Sequence, residues 1–296
     1  MLTLVLTCLT TLGSIHGSPL STETRVSPHF LAGSAIGQVV AIDEASGLCT
    51  SRINANIIYS HNDKGDGPKI YALSSLNGEL KTTIHIHGAN NYDWEDIACG
   101  LCDDNGGRCI YIADTGDHGG DGARNIIYKI REPVLADNHR NITVDIESKI
   151  AFQWSPHQQD CETLMMDPQR NIYLISKVNG GRGKIGMINS TAWNNSSVKV
   201  NVDNLVTIPL STNSNDPTGG DIAPNGRDIL VQTKHQLYYW QKADGQSIKE
   251  TLTKDPVAVP FHYNKQAGAV AWDANGRGYY TASEGVNINM YYYMRQ

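Results

Sequence analysis

Residues 90–100, NNYDWEDIACG, set three carboxylates (Asp93, Glu95 and Asp96) around a tryptophan and lead straight into an apolar, strand-like stretch. Acids pressed against a strand need compensation from solvent, an arginine or a cation. Alternation along a strand turns Asp96 away from Glu95 and leaves Asp93 to the entry turn. Similar acids open other segments: Glu44 in EASGL, Glu162 in CETLMM and Asp221 in GGDI, whereas AGAVAW carries Gly268 at the corresponding point. In equivalent places of a symmetric structure these four like charges would converge and raise one another's pKa. A divalent cation resolves that conflict, and carboxylates with backbone carbonyls favour Ca2+ over Mg2+, which prefers to keep its waters. The metal set expected is therefore Glu44, Glu95, Glu162 and Asp221. The alternative is that each acid caps a turn or pairs with an arginine. Zinc has no support, because H-E-x-x-H is absent and Cys99-Gly100-Leu101-Cys102 is a lone C-x-x-C. His85 and His87 share a strand face, but on what reads as an outer, solvated strand.

A second group of polar residues sits in loops. HNDKGDG supplies His61, Asn62, Asp63 and Asp66; ADTGDHGGDG supplies Asp114, Asp117 and His118; later loops supply Lys177, Lys234 and Glu284. Gly and Asp suit tight turns and equally suit ion coordination. If each loop ends a strand that returns toward the acids, the two groups form one ligand-binding mouth.

The elements that could position them repeat along the chain. NIIYSHNDKGDGPKIYAL (56–73) resembles RCIYIADTGDHGGDGARNIIYKI (108–130), and both resemble segments at 170–188, 227–240 and 277–293. Each is a β-branched or aromatic strand, a polar loop and a second strand, preceded by another short segment. DPQR, PNGR and ANGR are hairpin-turn sequences. About four strands in roughly 50 residues describes a β-propeller blade. Five units start near residues 44, 95, 162, 221 and 268, with six blades as the alternative because the second unit is long. The fifth unit has room for three strands, so the run FLAGSAIGQVVAI (30–42) is expected to supply the fourth and close the ring. Tyr outnumbers Phe 14 to 3, there are 28 glycines and only 18% of residues are charged, which suits many short strands. The net charge of −6 speaks against a nucleic-acid surface and permits a cation-attracting one.

Residues 1–17, MLTLVLTCLTTLGSIHG, read as a secretory signal peptide, leaving 18–296 as a single secreted domain. No other segment could span a bilayer. Sequons at Asn141, Asn189, Asn194 and Asn195 fit that route, the last two being too close for both to be used. Loss of the leader leaves five cysteines. Cys102 and Cys109 flank the hairpin loop DDNGGR and form the first expected disulfide; Cys49 and Cys99 are the second candidate pair, with Cys161 buried and free.

The ordered words EASGL, DWEDIA, ADTGDH, DCET, TGGD and AGAVAWDANGRGYYTASEG, over most of residues 40–285, resemble a family of secreted propeller proteins. That family's words include D-W-E-D-I-A, A-D-x-G-D-N and a G-E-A-I…G-Y-Y-T-x-S-E-G close. Here His118 replaces the family's Asn, Thr163 its Ala and Gly268 its Glu. More distantly the architecture is similar to calcium-centred propeller hydrolases, the gluconolactonase and paraoxonase group and the calcium-activated nucleotidases. Two readings follow. In one, an axial Ca2+ stabilises a propeller whose mouth binds a small ligand or an extracellular protein. In the other, Ca2+ polarises a lactone, ester or phosphoanhydride while Glu95 or Glu162 activates water, and Lys177 and Lys234 receive an anionic substrate. No G-x-S-x-G elbow, Walker loop or dinucleotide fingerprint is present. Because Gly268 breaks the ring of acids, binding is the favoured reading.

Overall fold

Every repeat unit folds as one antiparallel sheet, and five sheets surround a central axis. The computed structural model describes residues 29–116, 124–136, 140–177, 182–195, 197–211, 216–264 and 267–296. Blade 1 runs from its inner strand Ala45–Thr50 through Ile57–Asn62 and Lys69–Ser74 to Leu80–His87. Blade 2 comprises Trp94–Leu101, Arg108–Asp114, Ile126–Arg131 and Ser148–Trp154, and blade 3 Cys161–Met166, Ile172–Ser176, Arg182–Ile188 and Val206–Ser211. Blade 4 comprises Pro217–Ile222, Asp228–Thr233, Leu237–Gln241 and Val257–Val259. Blade 5 has Ala267–Trp272, Gly278–Ser283 and Ile288–Met294, and the N-terminal strand Ser34–Val39 pairs antiparallel with the last of these. The expected closure is present, and it removes two sheet edges at once.

The length of the second unit is spent on an edge strand and not on a sixth blade: Asn141–Asp145 crosses back to pair in parallel with the outer strand of blade 1. In the third unit Val200–Val202 likewise pairs in parallel with the outer strand of blade 2.

Side chains alternate so that each sheet contributes to two cores, one on either side, as packed sheets require. Blades 1 and 2 meet around Tyr59, Ile84, Trp94 and Ile112, and blades 2 and 3 around Tyr111, Phe152, Leu164 and Leu174. Between blades 4 and 5 the core is aromatic. Phe30, bridged to Arg295, inserts among Tyr239, Trp272 and Tyr279, meeting the Tyr279 ring edge-on at 4.9 Å. Cys49 and Cys99 are joined, linking the inner strands of blades 1 and 2; Cys102 and Cys109 staple the hairpin of blade 2, and Cys161 is free and buried. Both halves of C-x-x-C are thus consumed by different disulfides. No described helix is long and apolar enough to cross a membrane.

Candidate functional site at the acidic mouth

All five inner strands share one irregularity, which decides where the acids point. Pairing with the second strand slips between Ala45 and Gly47, Trp94 and Asp96, Cys161 and Leu164, Pro217 and Gly219, and Ala267 and Ala269. An extra residue in each strand makes a β-bulge near its start. The bulge positions are Ser46, Glu95, Glu162, Thr218 and Gly268, so only Glu95 and Glu162 of the four expected metal ligands are equivalent.

Glu44 and Asp221 belong to different levels. Glu44 precedes its strand and is exposed. Asp221 lies deep in blade 4, where its Oδ2 accepts the amide of Trp272 at 2.8 Å, and burial pushes its pKa up to about 6. The expected ring of Glu44, Glu95, Glu162 and Asp221 is therefore corrected. The units align as the triplets EAS, DWE, DCE, DPT and QAG, and the register that equated Glu44 with Glu95 and Asp221 was two residues out in blade 1 and three in blade 4.

At the first position of these triplets a ring of acids does exist: Glu44, Asp93, Asp160 and Asp216. Their carbonyls accept the amides of Asp63, Thr115, Lys177 and Lys234, at 2.8–3.2 Å. The return loops therefore meet the strand entries at one mouth, and their side chains fix its charge. In blades 3 and 4 the loop residue is a lysine. Lys177 bridges Asp160, at 2.8 Å, and Glu162, and Lys234 lies 3.3 Å from Asp216. Burial opposes the charge on Lys177, but Glu162 and Asp160 more than offset it and hold its pKa high. In blades 1 and 5 the loop residues are the acids Asp63 and Glu284. Negative charge is balanced on one side of the mouth and accumulates on the other.

The accumulation centres on Asp63, Asp93 and Glu95, each offering an oxygen within 4.8 Å of the others. Glu95 is buried, and burial, followed by repulsion from Glu162 and Asp63, pushes its pKa well above the usual carboxylate range. Glu162 is raised by burial too, with Lys177 pulling the other way. Glu284 is pushed up to about 7, by burial first and then by Asp63, Glu162 and Glu44. Exposed Lys64 stands 3.6 Å from Asp93. Beneath them Asp114 accepts the amide of Asp93 at 2.9 Å and fixes the turn that presents it. Gly116 closes the loop so tightly that a Cβ there would collide with the carboxylates of Asp93 and Glu95. Three carboxylate oxygens thus converge beside a loop that only a glycine lets pass so close.

Other expected mouth residues are dispersed. His61 is fully buried, edge-on to Trp94 at 5.7 Å, and burial lowers its pKa to about 4. Asn62 is buried and braces Asp66 through Nδ2 at 3.0 Å. Asp117 and His118 lie outside the described residues. His85 and His87 are exposed on the outer strand, as expected.

Asp96 was expected to turn from Glu95, and it does so into the axis. Fully buried, it accepts the amides of Ile97 at 2.9 Å, Leu164 at 2.8 Å and Gly220 at 3.3 Å, and so joins blades 2, 3 and 4. Gly47 of blade 1 completes the surround, because a Cβ there would stand 2.9 Å from Asp96 Oδ1. The bulges are also tied sideways: Ser46 Oγ donates to the Glu95 carbonyl at 2.8 Å and Thr218 Oγ1 to that of Gly268 at 3.1 Å. What compensates the acids of DWED thus differs residue by residue: backbone amides for Asp96, Lys64 at 3.6 Å for Asp93, and the Lys177 charge for Glu95.

No family model matches the chain, and no curated protein does. Among solved structures it is similar to the PQQ-bound aldose sugar dehydrogenase of Streptomyces coelicolor, with a TM-score of 0.53 and 11% identity over 90% of this chain and 98% of that one. At that identity the likeness shows the β-propeller fold and nothing of the chemistry.

Proposed function

We propose that this chain is a secreted, glycosylated β-propeller that holds Ca2+ between Asp63, Asp93 and Glu95 and binds a ligand or extracellular partner at the same mouth. The observation that carries the reading is the convergence of three carboxylates from two blades, with Gly116 packed directly against two of them. Oxygen-only donors and an irregular, loop-built site favour Ca2+ over Mg2+. Ca2+ would neutralise the side of the mouth that Lys177 and Lys234, already paired with Asp160, Glu162 and Asp216, do not balance. Secretion is supported by the leader-like residues 1–17, by two disulfides and by exposed sequon asparagines at 141, 189 and 195. Calorimetric titration of the purified chain with Ca2+, repeated on Asp63→Asn, tests the site: binding in the parent and its loss in the variant are expected, and equal heats in both would refute it.

The hydrolase reading keeps one supporting observation, the placement of Lys177 against Glu162 beside Glu95, which sets a cation for an anionic substrate next to two carboxylates. Lactone, aryl ester and nucleotide substrates distinguish the readings. Turnover abolished by EDTA and by Glu162→Gln would replace binding with catalysis.

A further inference from the structure

At the opposite end of the axis the inner strands run out into a cavity of about 470 Å³. Its walls differ around the ring. Blades 3, 4 and 5 contribute the turns at Pro168, Pro224 and Asn275, which pack in sequence: a Cβ on Gly226 would stand 2.9 Å from Pro168, and one on Gly276 4.0 Å from Pro224. Blades 1 and 2 contribute two arginines, Arg52 just beyond the inner strand of blade 1 and Arg108 at the start of the second strand of blade 2.

Four guanidiniums of the described residues are engaged by aspartates. Arg131, Arg170, Arg227 and Arg295 pair with Asp103, Asp104, Asp244 and Asp228, at 2.9–3.1 Å except for Arg170, at 2.7 Å. Among the described residues neither Arg52 nor Arg108 forms an ion pair, and Nη1 of Arg52 is buried without a hydrogen-bond partner. A buried donor left unpaired costs free energy that a bound acceptor would recover. Nearby acids are already engaged. Glu132 accepts Ser51 Oγ and the backbone amide of Arg52, the latter at 3.1 Å, and Asp167 accepts the Asn171 side chain and the Tyr173 hydroxyl at 2.9 and 3.0 Å. Asp221 feels the Arg52 charge but spends Oδ2 on Trp272.

We propose that this lower mouth binds a small doubly charged oxyanion, a phosphate or a dicarboxylate, between Arg52 and Arg108. Guanidinium forks match such groups with paired N–H donors, and the cavity has room for a slim organic body behind the charge. The site is independent of the acidic mouth, which the inner strands separate from it.

The test is calorimetric titration of the full chain with inorganic phosphate and, separately, with succinate, at constant ionic strength. At least one should bind, with affinity about tenfold weaker in Arg52→Gln and likewise in Arg108→Gln, while His85→Gln, on the outer strand of blade 1, binds as the parent does. Phosphate alone binding assigns the phosphate class, and succinate alone the dicarboxylate class. No heat from either ligand, or equal affinity in parent and both arginine variants, overturns the proposal. If Arg52→Gln does not fold, Arg108→Gln decides, its melting curve in anion-free buffer serving as the folding control.

Discussion

Oδ2 of Asp96, on the inner strand of blade 2, accepts the amide of Leu164, on the inner strand of blade 3, at 2.8 Å. The same oxygen reaches Gly220 of blade 4, so one carboxyl group satisfies backbone donors of neighbouring blades at the axis. Asp96→Ala strands those buried amides and should lower stability by about 2–4 kcal/mol. Urea denaturation measures this, and an unchanged midpoint would show that the amides find other partners.

Ca2+ should raise the melting temperature, because an ion held by Asp63, Asp93 and Glu95 binds the folded ring alone; at a hundred times its Kd the gain is about 2.7 kcal/mol. Gly116→Ala pushes a methyl group into Asp93 and Glu95 and should abolish that rise while leaving the cores intact. Scanning calorimetry with Ca2+ and with EDTA reads both effects.

Without Ca2+, stability should fall as pH rises. Asp114 and Asp221, each pushed from 3.8 to about 6, and Glu284, pushed from 4.5 to about 7, hold protons in the fold that the unfolded chain has already released. Stability therefore declines across the interval from about 4 to about 7 on account of these three groups, and Glu95, Asp96 and Glu162, raised by burial as well, act in the same sense. Asp228, lowered on balance because Arg295, Tyr239 and Asn225 outweigh its burial, acts in the opposite sense but below 3.8, outside that window. Melting curves in EDTA across this range, at fixed ionic strength, check the slope, and Asp221→Asn should flatten part of it.

The two disulfides should differ in worth. Cys49–Cys99 closes a separation of 50 residues and Cys102–Cys109 one of 7, so chain entropy assigns about 4 kcal/mol to the first and about 2.5 to the second. Double alanine variants compared by denaturant titration test the order.

Much of the fold was legible because a strand–turn–strand unit recurs with its own turn chemistry: the inner strands begin at Ala45, Trp94, Cys161, Pro217 and Ala267, within four residues of the expected starts. The Cys102–Cys109 pair and the closing strand were legible for the same reason, whereas Cys49–Cys99, which joins two blades, was only a candidate. The site was legible only in outline. A bulge adds one residue without any mark in the sequence, and each one-residue slip reverses which face a side chain takes. That is how Ser46 and Thr218 were passed over in favour of Glu44 and Asp221. Asp160 and Asp216 could have been found by aligning D-x-E in blades 2 and 3 with DPT in blade 4. The axial role of Asp96 could not, since its partners are backbone amides more than 60 residues away.

The strand Ser34–Val39 is synthesised before the other strands of all five blades, and its partner, Ile288–Met294, after them. Until that partner is made, the first strand's hydrogen-bonding edge has nothing to pair with. Deleting the final strand leaves Ser34–Val39 and Gly278–Ser283 without their partner and should yield aggregates and not a four-bladed product.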